Sequence, residues 1–375
     1  RLTLFELFGF KVHVDASWLL LAVLIVWSLA EGYFPQVLPG LAGATYFWMG
    51  IAGLIGLGFS IVVHELAHSL VARRFDMPIR GITLFVFGGV AEMTEEPTSA
   101  KGELLMAIAG PAMSLAVAVG FALLAGLGGD SEWAAPAVAV ADYLAFINGI
   151  LALFNLVPAF PLDGGRVLRA VLWGWKGDIV WATRIAATAG GLFGFMLIAY
   201  GLLLAIQGNI IGGIWLFVLG LFLRAAAVGA VGQIVTRSVL SGQPVHRFMR
   251  RDPVAVAPDL SLDRLVDDYF YRHYYKNVPV AEGDRLLGSV RLEAIAAVER
   301  ERWPWTTVGT VMDPLTPATV TDPDADAAAA LEQMRRTGQS RLLVARDDRL
   351  IGVLSLKDLL DFLSVRLDLD AAARR

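Results

Sequence analysis

Apolar residues along this chain gather in long, nearly charge-free runs. Residues 16–31, 46–71, 104–127, 136–157, 185–206 and 211–231 each read as one, and beyond about Gln243 the pattern turns charged and alternating. Runs of this length predict helices that cross a bilayer, the first of them short but flanked by interfacial Trp18 and Trp27. Residues 78–93, from Pro78 through Gly81, Gly88 and Gly89 to Met93, are too short and too glycine-marked for another span. Their β-branched and aromatic content predicts a strand pair or re-entrant loop leaning against the second span, because extended backbone cannot face lipid with unpaired amides. An exposed edge there would suit pairing with an extended peptide; a plain connecting hairpin is the other reading.

Charges between the runs set the orientation. Arg73 and Arg74 follow the second span, Arg166, Arg169 and Lys176 follow the fourth, and Arg224 and Arg237 mark the end of the sixth. The loop after the third span is acidic, Gly128-Gly129-Asp130-Ser131-Glu132, and that after the fifth is the short Gln207-Gly208-Asn209. Six spans with both termini cytoplasmic satisfy every loop by the positive-inside bias. The fourth span runs into Asn155-Leu156-Val157-Pro158-Ala159-Phe160-Pro161-Leu162-Asp163-Gly164-Gly165, where two prolines and a glycine pair predict a helix break with Asp163 on irregular backbone. In the third span, Gly110-Pro111 predicts close helix approach.

The polar C-terminal part contains two similar segments. Arg247-Phe248-Met249 with Leu287-Gly288-Ser289-Val290 recurs as Val311-Met312-Asp313-Pro314 with Ile351-Gly352-Val353-Leu354. Each copy reads as strand, helix, two strands and helix, so that each half covers the apolar face of the other. The expected organisation is a polytopic α-helical membrane domain over residues 1–240, with its re-entrant β hairpin, then a soluble α+β pair over 244–365, split near 244–300 and 308–365, and a tail over 366–375.

Composition narrows the chemistry. Of 375 residues 56% are hydrophobic and 18% charged, and the mean hydropathy of +0.61 places much of the chain in lipid. No small-residue cleavage site follows the first run, which is therefore expected to remain as an anchor. The net charge of -4 gives no reason to expect a nucleic acid partner. With no cysteine and five histidines, only His, Asp and Glu remain as strong metal ligands.

The informative cluster lies inside the second run, His64-Glu65-Leu66-Ala67-His68. On a helix the two histidines share a face and can hold one divalent ion, while Glu65 reaches its bound water. The pattern arises by chance in soluble helices, but three ionisable groups in an apolar segment have to pair, ligate or line a wet cavity. Catalytic zinc takes three protein ligands and keeps one position open. Asp163, on the same leaflet side, is the candidate third ligand, and a turn-forming aspartate before Gly164-Gly165 is its plainer reading. Glu65 would act as general base, which points to hydrolysis of an amide. Asn155 either assists the oxyanion of the tetrahedral intermediate or caps the broken helix. Asn148 reads as a helix–helix hydrogen bond, and His13, beside Lys11 and Asp15 at a membrane surface, is set aside as a ligand.

Taken together, His64-Glu65-Leu66-Ala67-His68, the Gly110-Pro111 helix and Asn155-Leu156-Val157-Pro158 leading to Leu162-Asp163-Gly164-Gly165 resemble the site-2 protease family of intramembrane zinc metalloproteases over about residues 1–240. The resemblance implies zinc held by His64, His68 and Asp163, with Glu65 as base and Asn155 assisting the intermediate. It also implies cleavage within transmembrane segments of regulatory proteins, such as anti-sigma factors or membrane-tethered precursors. Ser114 departs from the asparagine often found there in the family, which puts a local helix contact in question. Residues 244–365 resemble a tandem CBS domain pair. That resemblance implies a homodimer through the pair and a site for ATP or AMP, with Ser355 and Asp358 at the ribose-binding positions. Arg291 and Ala294 stand at the corresponding places of the first copy, so at most one intact ribose site is expected. Nucleotide binding is expected to alter the access route between spans five and six. A non-proteolytic membrane sensor or transporter with a structural metal site is the second reading; the glutamate between the two histidines weighs against it, since a structural site has no need of a base.

Overall fold

Eleven residues before the first span already form structure that the apolar pattern does not announce. In the computed structural model, which describes every residue except 1, 78, 86, 87, 94–96, 129–133, 252, 274–276 and 373–375, strands β1 (Leu2–Leu7) and β2 (Phe10–Val14) pair antiparallel. Phe8 (φ 51°) and Gly9 (φ 83°) close them in the doubly left-handed turn that suits the twist of a two-residue hairpin. β2 then pairs in parallel with β3 (Ile79–Phe85), which pairs antiparallel with β4 (Gly88–Met93). The hairpin expected over residues 78–93 is thus half of a four-stranded sheet in the order β1-β2-β3-β4. His13 lies opposite Thr3 in that sheet, with its Nδ1 3.0 Å from the threonine hydroxyl, away from the other histidines.

The chain divides into two compact units, Arg1–Gln233 and Ile234–Arg375. In the first, helix α1 (Ala16–Ser28) is capped by Asp15, whose Oδ1 accepts from the Ser17 amide at 3.0 Å, and its apolar span continues through a π turn to Val37. Among the described residues, five further helices are long and apolar enough to cross a membrane: α2 (Gly43–Arg73), α3 (Ala100–Gly128), α4 (Ala135–Asn155), α6 (Ile179–Ile206) and α7 (Ile210–Leu240). Five of the spans run longer than the apolar runs because helix continues into the flanking polar turns, whereas the fourth ends at Asn155, short of its run, ahead of Pro158. Outward positions such as Leu20, Val23, Leu123, Leu153, Leu192 and Met196 are each more than 60% exposed. That much exposed apolar surface requires lipid around it, and the protein is an integral membrane protein. Helix α3 runs unbroken through Pro111. Helices α6 and α7 touch backbone to backbone, since a Cβ on Gly201 would lie 2.6 Å from the Gly213 carbonyl oxygen and one on Gly194 2.7 Å from that of Gly220.

A further helix, α5 (Asp163–Lys176), lies between α4 and α6 and corrects the expectation for Asp163, which is its first helical residue instead of part of an irregular segment. The prolines break α4, but Arg166 to Lys176 is amphipathic and forms a helix of its own, ended by Gly177 at φ 74°. Gly164 and Gly165 let the start of α5 seat on the preceding loop, because a Cβ at either would strike backbone of residues 156–160. The acidic loop expected at Gly128–Glu132 falls, from residue 129 on, outside the described residues.

The second unit carries two similar halves. The first contains β5 (Arg250–Arg251), the short helix α8 (Leu262–Leu265), β6 (Asn277–Glu282), β7 (Arg285–Arg291) and α9 (Leu292–Ala296). The second contains α10 (Val308–Val311), β8 (Asp313–Pro314), β9 (Val320–Thr321), α11 (Ala327–Thr337), β10 (Arg341–Arg346), β11 (Arg349–Ser355) and α12 (Leu356–Ala372). Their leading strands are exchanged, β5 pairing with β11 of the second half and β8 with β7 of the first. Two apolar cores result, one around Leu262, Leu265, Val280, Val290 and Ile295, the other around Ala330, Met334, Leu342, Val344 and Leu354.

A candidate metal centre

Helix geometry puts His64 and His68 of α2 one turn apart on a shared face, and both are 4% exposed. Their Nε2 atoms lie 3.1 Å apart, and each lies 3.2 Å from Oδ2 of Asp163, which is 8% exposed. Three donor atoms thus form a nearly equilateral triangle. Bonds of about 2.0–2.1 Å in a tetrahedral zinc site place ligand atoms about 3.3 Å apart, so the triangle has the edge length of one tetrahedral face.

The outer partners of the imidazoles fix which atoms face the centre. His68 Nδ1 lies 2.6 Å from the Met106 carbonyl oxygen, which can only accept, so Nδ1 carries the proton and the Nε2 of the neutral ring presents a lone pair. His64 Nδ1 lies 2.8 Å from the Ser114 hydroxyl. Both Nε2 atoms therefore face the Asp163 carboxylate in a buried place, and with the Ser114 hydroxyl accepting from His64 Nδ1 the two Nε2 lone pairs and one carboxylate oxygen make a ligand set for a cation. Space for one is left by Gly110 of α3, where a Cβ would lie 2.6 Å from His64 Nε2 and closer still to His68 Nε2. The residues fit zinc in donor type, spacing and room. Ser114 retains the contact that its departure from the family pattern placed in question.

Around the triangle lies a cavity of about 610 Å³, whose wall includes Glu65, Asn155, Phe160 and Arg166, together with Phe222 and Ala226 of α7. Gly89 of β4 packs directly on the base candidate, since a Cβ there would lie 2.8 Å from Glu65 Cγ and 2.9 Å from Ile61 Cγ2. The hairpin does lean on the metal helix. Asn155, the last residue of α4, is part of the wall. Asn148 donates from Nδ2 to Ser60 Oγ at 2.9 Å, the helix–helix bond its position suggested, and to the Leu144 carbonyl at 2.8 Å. Sequence reading missed Met106 and the buried pair of Glu103 with Arg169. It marked Gly110 as a place of close approach and Ser114 as a departure from the family pattern, without placing either beside the histidines.

In the second unit, Ser355 ends β11 and Asp358 lies in the first turn of α12, and the serine hydroxyl donates to Asp358 Oδ2. Arg250 donates from Nε and Nη2 to Asp358 Oδ1, both at 3.1 Å. These residues line a cavity of about 690 Å³ that also presents Arg251, Arg341 and Lys357. Asn277, on the same wall, has a buried Oδ1 without a hydrogen-bond partner among the described residues. At the corresponding place of the first half, Arg291 donates from Nε to Asp313 Oδ2 at 2.7 Å, and this ion pair raises the guanidinium's pKa further.

The model of peptidase family M50 matches residues 52–129 and 130–199, and the CBS domain model matches residues 245–301 and 308–365. The chain is 35% identical over 359 residues to Rip3 of Mycobacterium tuberculosis, named as a zinc metalloprotease, the match covering 95% of this chain and 91% of that protein. It is 29% identical over 362 residues to the zinc metalloprotease MJ0392 of Methanocaldococcus jannaschii, covering 96% of each. Among solved structures, a site-2 protease from Methanocaldococcus jannaschii is similar at 30% identity over 61% of this chain and 94% of that one, with a TM-score of 0.43.

Proposed function

This chain belongs to peptidase family M50, the site-2 proteases, integral membrane zinc metalloendopeptidases, and from that premise we propose that it cleaves peptide bonds inside transmembrane segments of regulatory membrane proteins, with His64, His68 and Asp163 as zinc ligands and Glu65 as general base. The observation that carries this reading is the buried triangle of three candidate ligand atoms, each 3.1–3.2 Å from the next, on two helices of the apolar unit. Zinc bound there supplies Lewis-acid polarisation of the scissile carbonyl and lowers the pKa of the attacking water. Glu65 takes a proton from that water on its carboxylate and delivers it to the amide nitrogen as the C–N bond breaks. Asn155 donates from its side-chain amide to the oxygen on which negative charge develops. Met106 and Ser114 hold the two rings so that Nε2 points inward throughout.

The cavity beside the triangle is walled largely by apolar side chains such as Leu151, Phe154, Phe160 and Phe222, which suits a segment drawn from the bilayer. Single-span proteins such as an anti-sigma factor or a membrane-tethered precursor are the substrate class we assign. The same reading has the β3–β4 hairpin entering the bilayer and both termini, with the CBS pair, in the cytoplasm, on the strength of Arg73, Arg74, Arg166, Arg169 and Lys176. The CBS pair forms a homodimer and takes one ATP or AMP per chain at the cavity of Ser355 and Asp358, where Arg250, Arg251, Arg341 and Lys357 face phosphate.

The decisive experiment reconstitutes the protein with candidate single-span substrates. Glu65→Gln is expected to keep zinc and abolish cleavage. Cleavage at the wild-type rate by that variant would end the proposed mechanism.

A further inference from the structure

The proposed chemistry has no use for a second pair of charges, yet one is buried beside the site. Glu103, in the first turn of α3, is 0% exposed, and Arg169, midway along α5, is 4% exposed. Arg169 donates from Nε to Glu103 Oε1 at 2.7 Å, its Nη2 donates to the same oxygen, and the guanidinium carbon stands 5.2 Å from the centre of the Phe160 ring. Glu103 Oε2 is buried without a hydrogen-bond partner among the described residues.

Burying two charges is costly, and apolar residues of similar volume often hold helices together as well or better. What a charged fork adds is direction: Arg169 can meet Glu103 in one rotation and one height of α5 against α3. Those two helices complete the metal centre around the α2 histidines. α3 orients both imidazoles through the Met106 carbonyl and the Ser114 hydroxyl and leaves room at Gly110, whereas α5 carries Asp163 as its first residue. Arg169 lies six positions further along the same helix, about 9 Å of rise. Arg166, between them, reaches back to α3 with Nη2 3.8 Å from Met106 Sδ. A helix this short moves as a rod, so a displacement at Arg169 arrives at Asp163, where metal bonds tolerate only about 0.2 Å.

From this arrangement we infer that Glu103 and Arg169 are a positioning pair, whose function is to register the Asp163 carboxylate against the two imidazoles. The inference rests on the reading of His64, His68 and Asp163 as a zinc site. It assigns neither residue a direct part in the chemistry.

The test uses the full chain in detergent or nanodiscs, with three measurements: zinc affinity by chelator competition, the visible spectrum of the cobalt-substituted protein, and the melting temperature of the metal-free protein. Glu103→Asp keeps the charge and withdraws it by one methylene. It is expected to lower zinc affinity about 10–100-fold and to change the cobalt bands, with metal-free melting close to wild type. Wild-type affinity with an unchanged cobalt spectrum overturns the inference, and so does a loss of affinity no larger than the loss of metal-free stability. Should Glu103→Asp not fold, Arg169→Lys, which keeps the charge and loses the fork, is judged by the same outcomes. Failure of the site reading looks different: the wild-type chain would then bind no zinc, or His64→Ala would bind it as well.

Discussion

Replacing Gly110 by alanine tests the metal centre without touching a ligand. The new Cβ would lie 2.6 Å from His64 Nε2 and within 2.5 Å of His68 Cε1. An unstrained contact needs about 3.5 Å, so the His64 ring must retreat by about 0.9 Å and the His68 ring by more, since its Nε2 is closer, against the roughly 0.2 Å that metal bonds tolerate. Effects on the fold largely cancel. Overpacking costs about 1–3 kcal/mol, and exchanging glycine for alanine within a helix returns about 1 kcal/mol. Zinc affinity should therefore fall at least about 100-fold, or about 2.7 kcal/mol, while the metal-free protein melts within a few degrees of wild type. The assay is chelator competition on purified protein, with zinc content by elemental analysis. Gly120→Ala on the same helix is the control, because nothing lies within 4 Å of a Cβ there, and it should bind zinc as wild type does. Zinc affinity of Gly110→Ala within twofold of wild type would refute the placement of the ion among His64, His68 and Asp163.

Ser114→Ala removes the partner of His64 Nδ1 and should weaken zinc about 10-fold, measured by the same competition, with little change in melting. Titration of the full chain with ATP or AMP should saturate at one nucleotide per chain, since Arg291 and Asp313 occupy the first half's equivalent of the Ser355 position; calorimetry that finds two equal sites would contradict this, and Asp358→Ala should abolish binding. In the second unit, the Asp324 carboxyl is held below its ordinary range, chiefly by the hydrogen bond from Arg346 and then by His246. A depressed carboxyl pKa adds stability above its unfolded value of about 3.9 and loses it as the pH falls through the folded value. The melting-temperature difference between wild type and Arg346→Gln should accordingly be present at pH 6 and shrink below pH 4.

Elements defined by composition were legible from the sequence, and elements defined by pairing were not. Six spans follow from length and apolarity alone, because a bilayer selects for those two quantities. The β1–β2 hairpin escaped notice because β1 shows no buried and exposed alternation, with Leu2, Leu4 and Phe5 all exposed, and because Phe10-Lys11-Val12-His13-Val14 of β2 does alternate but over only five residues beside a long apolar run. Helix α5 was hidden by its own beginning. Pro158, Pro161, Gly164 and Gly165 read as a break, and they are one, but the two glycines also serve to seat a new helix on the loop before it.

At the site, His64, Glu65 and His68 were readable because their spacing of one helical turn is local, and Asp163 because few charges share its depth. Among the described residues, the outer partners of both imidazoles come from α3, remote in sequence from α2: His64 meets Ser114 across 50 residues and His68 meets Met106 across 38, while Arg169 of α5 meets Glu103 of α3 across 66. No local pattern marks a residue whose role is to receive one proton from a distant ring. A backbone carbonyl, as at Met106, leaves no trace in residue identity at all, and nothing in the residues around Glu103 marks it as buried. Ligand identity is therefore a property of short sequence, whereas ligand direction is a property of the packing between α2, α3 and α5. Direction is what separates a pair of histidines on a membrane helix from a site that holds three lone pairs 3.1–3.2 Å apart.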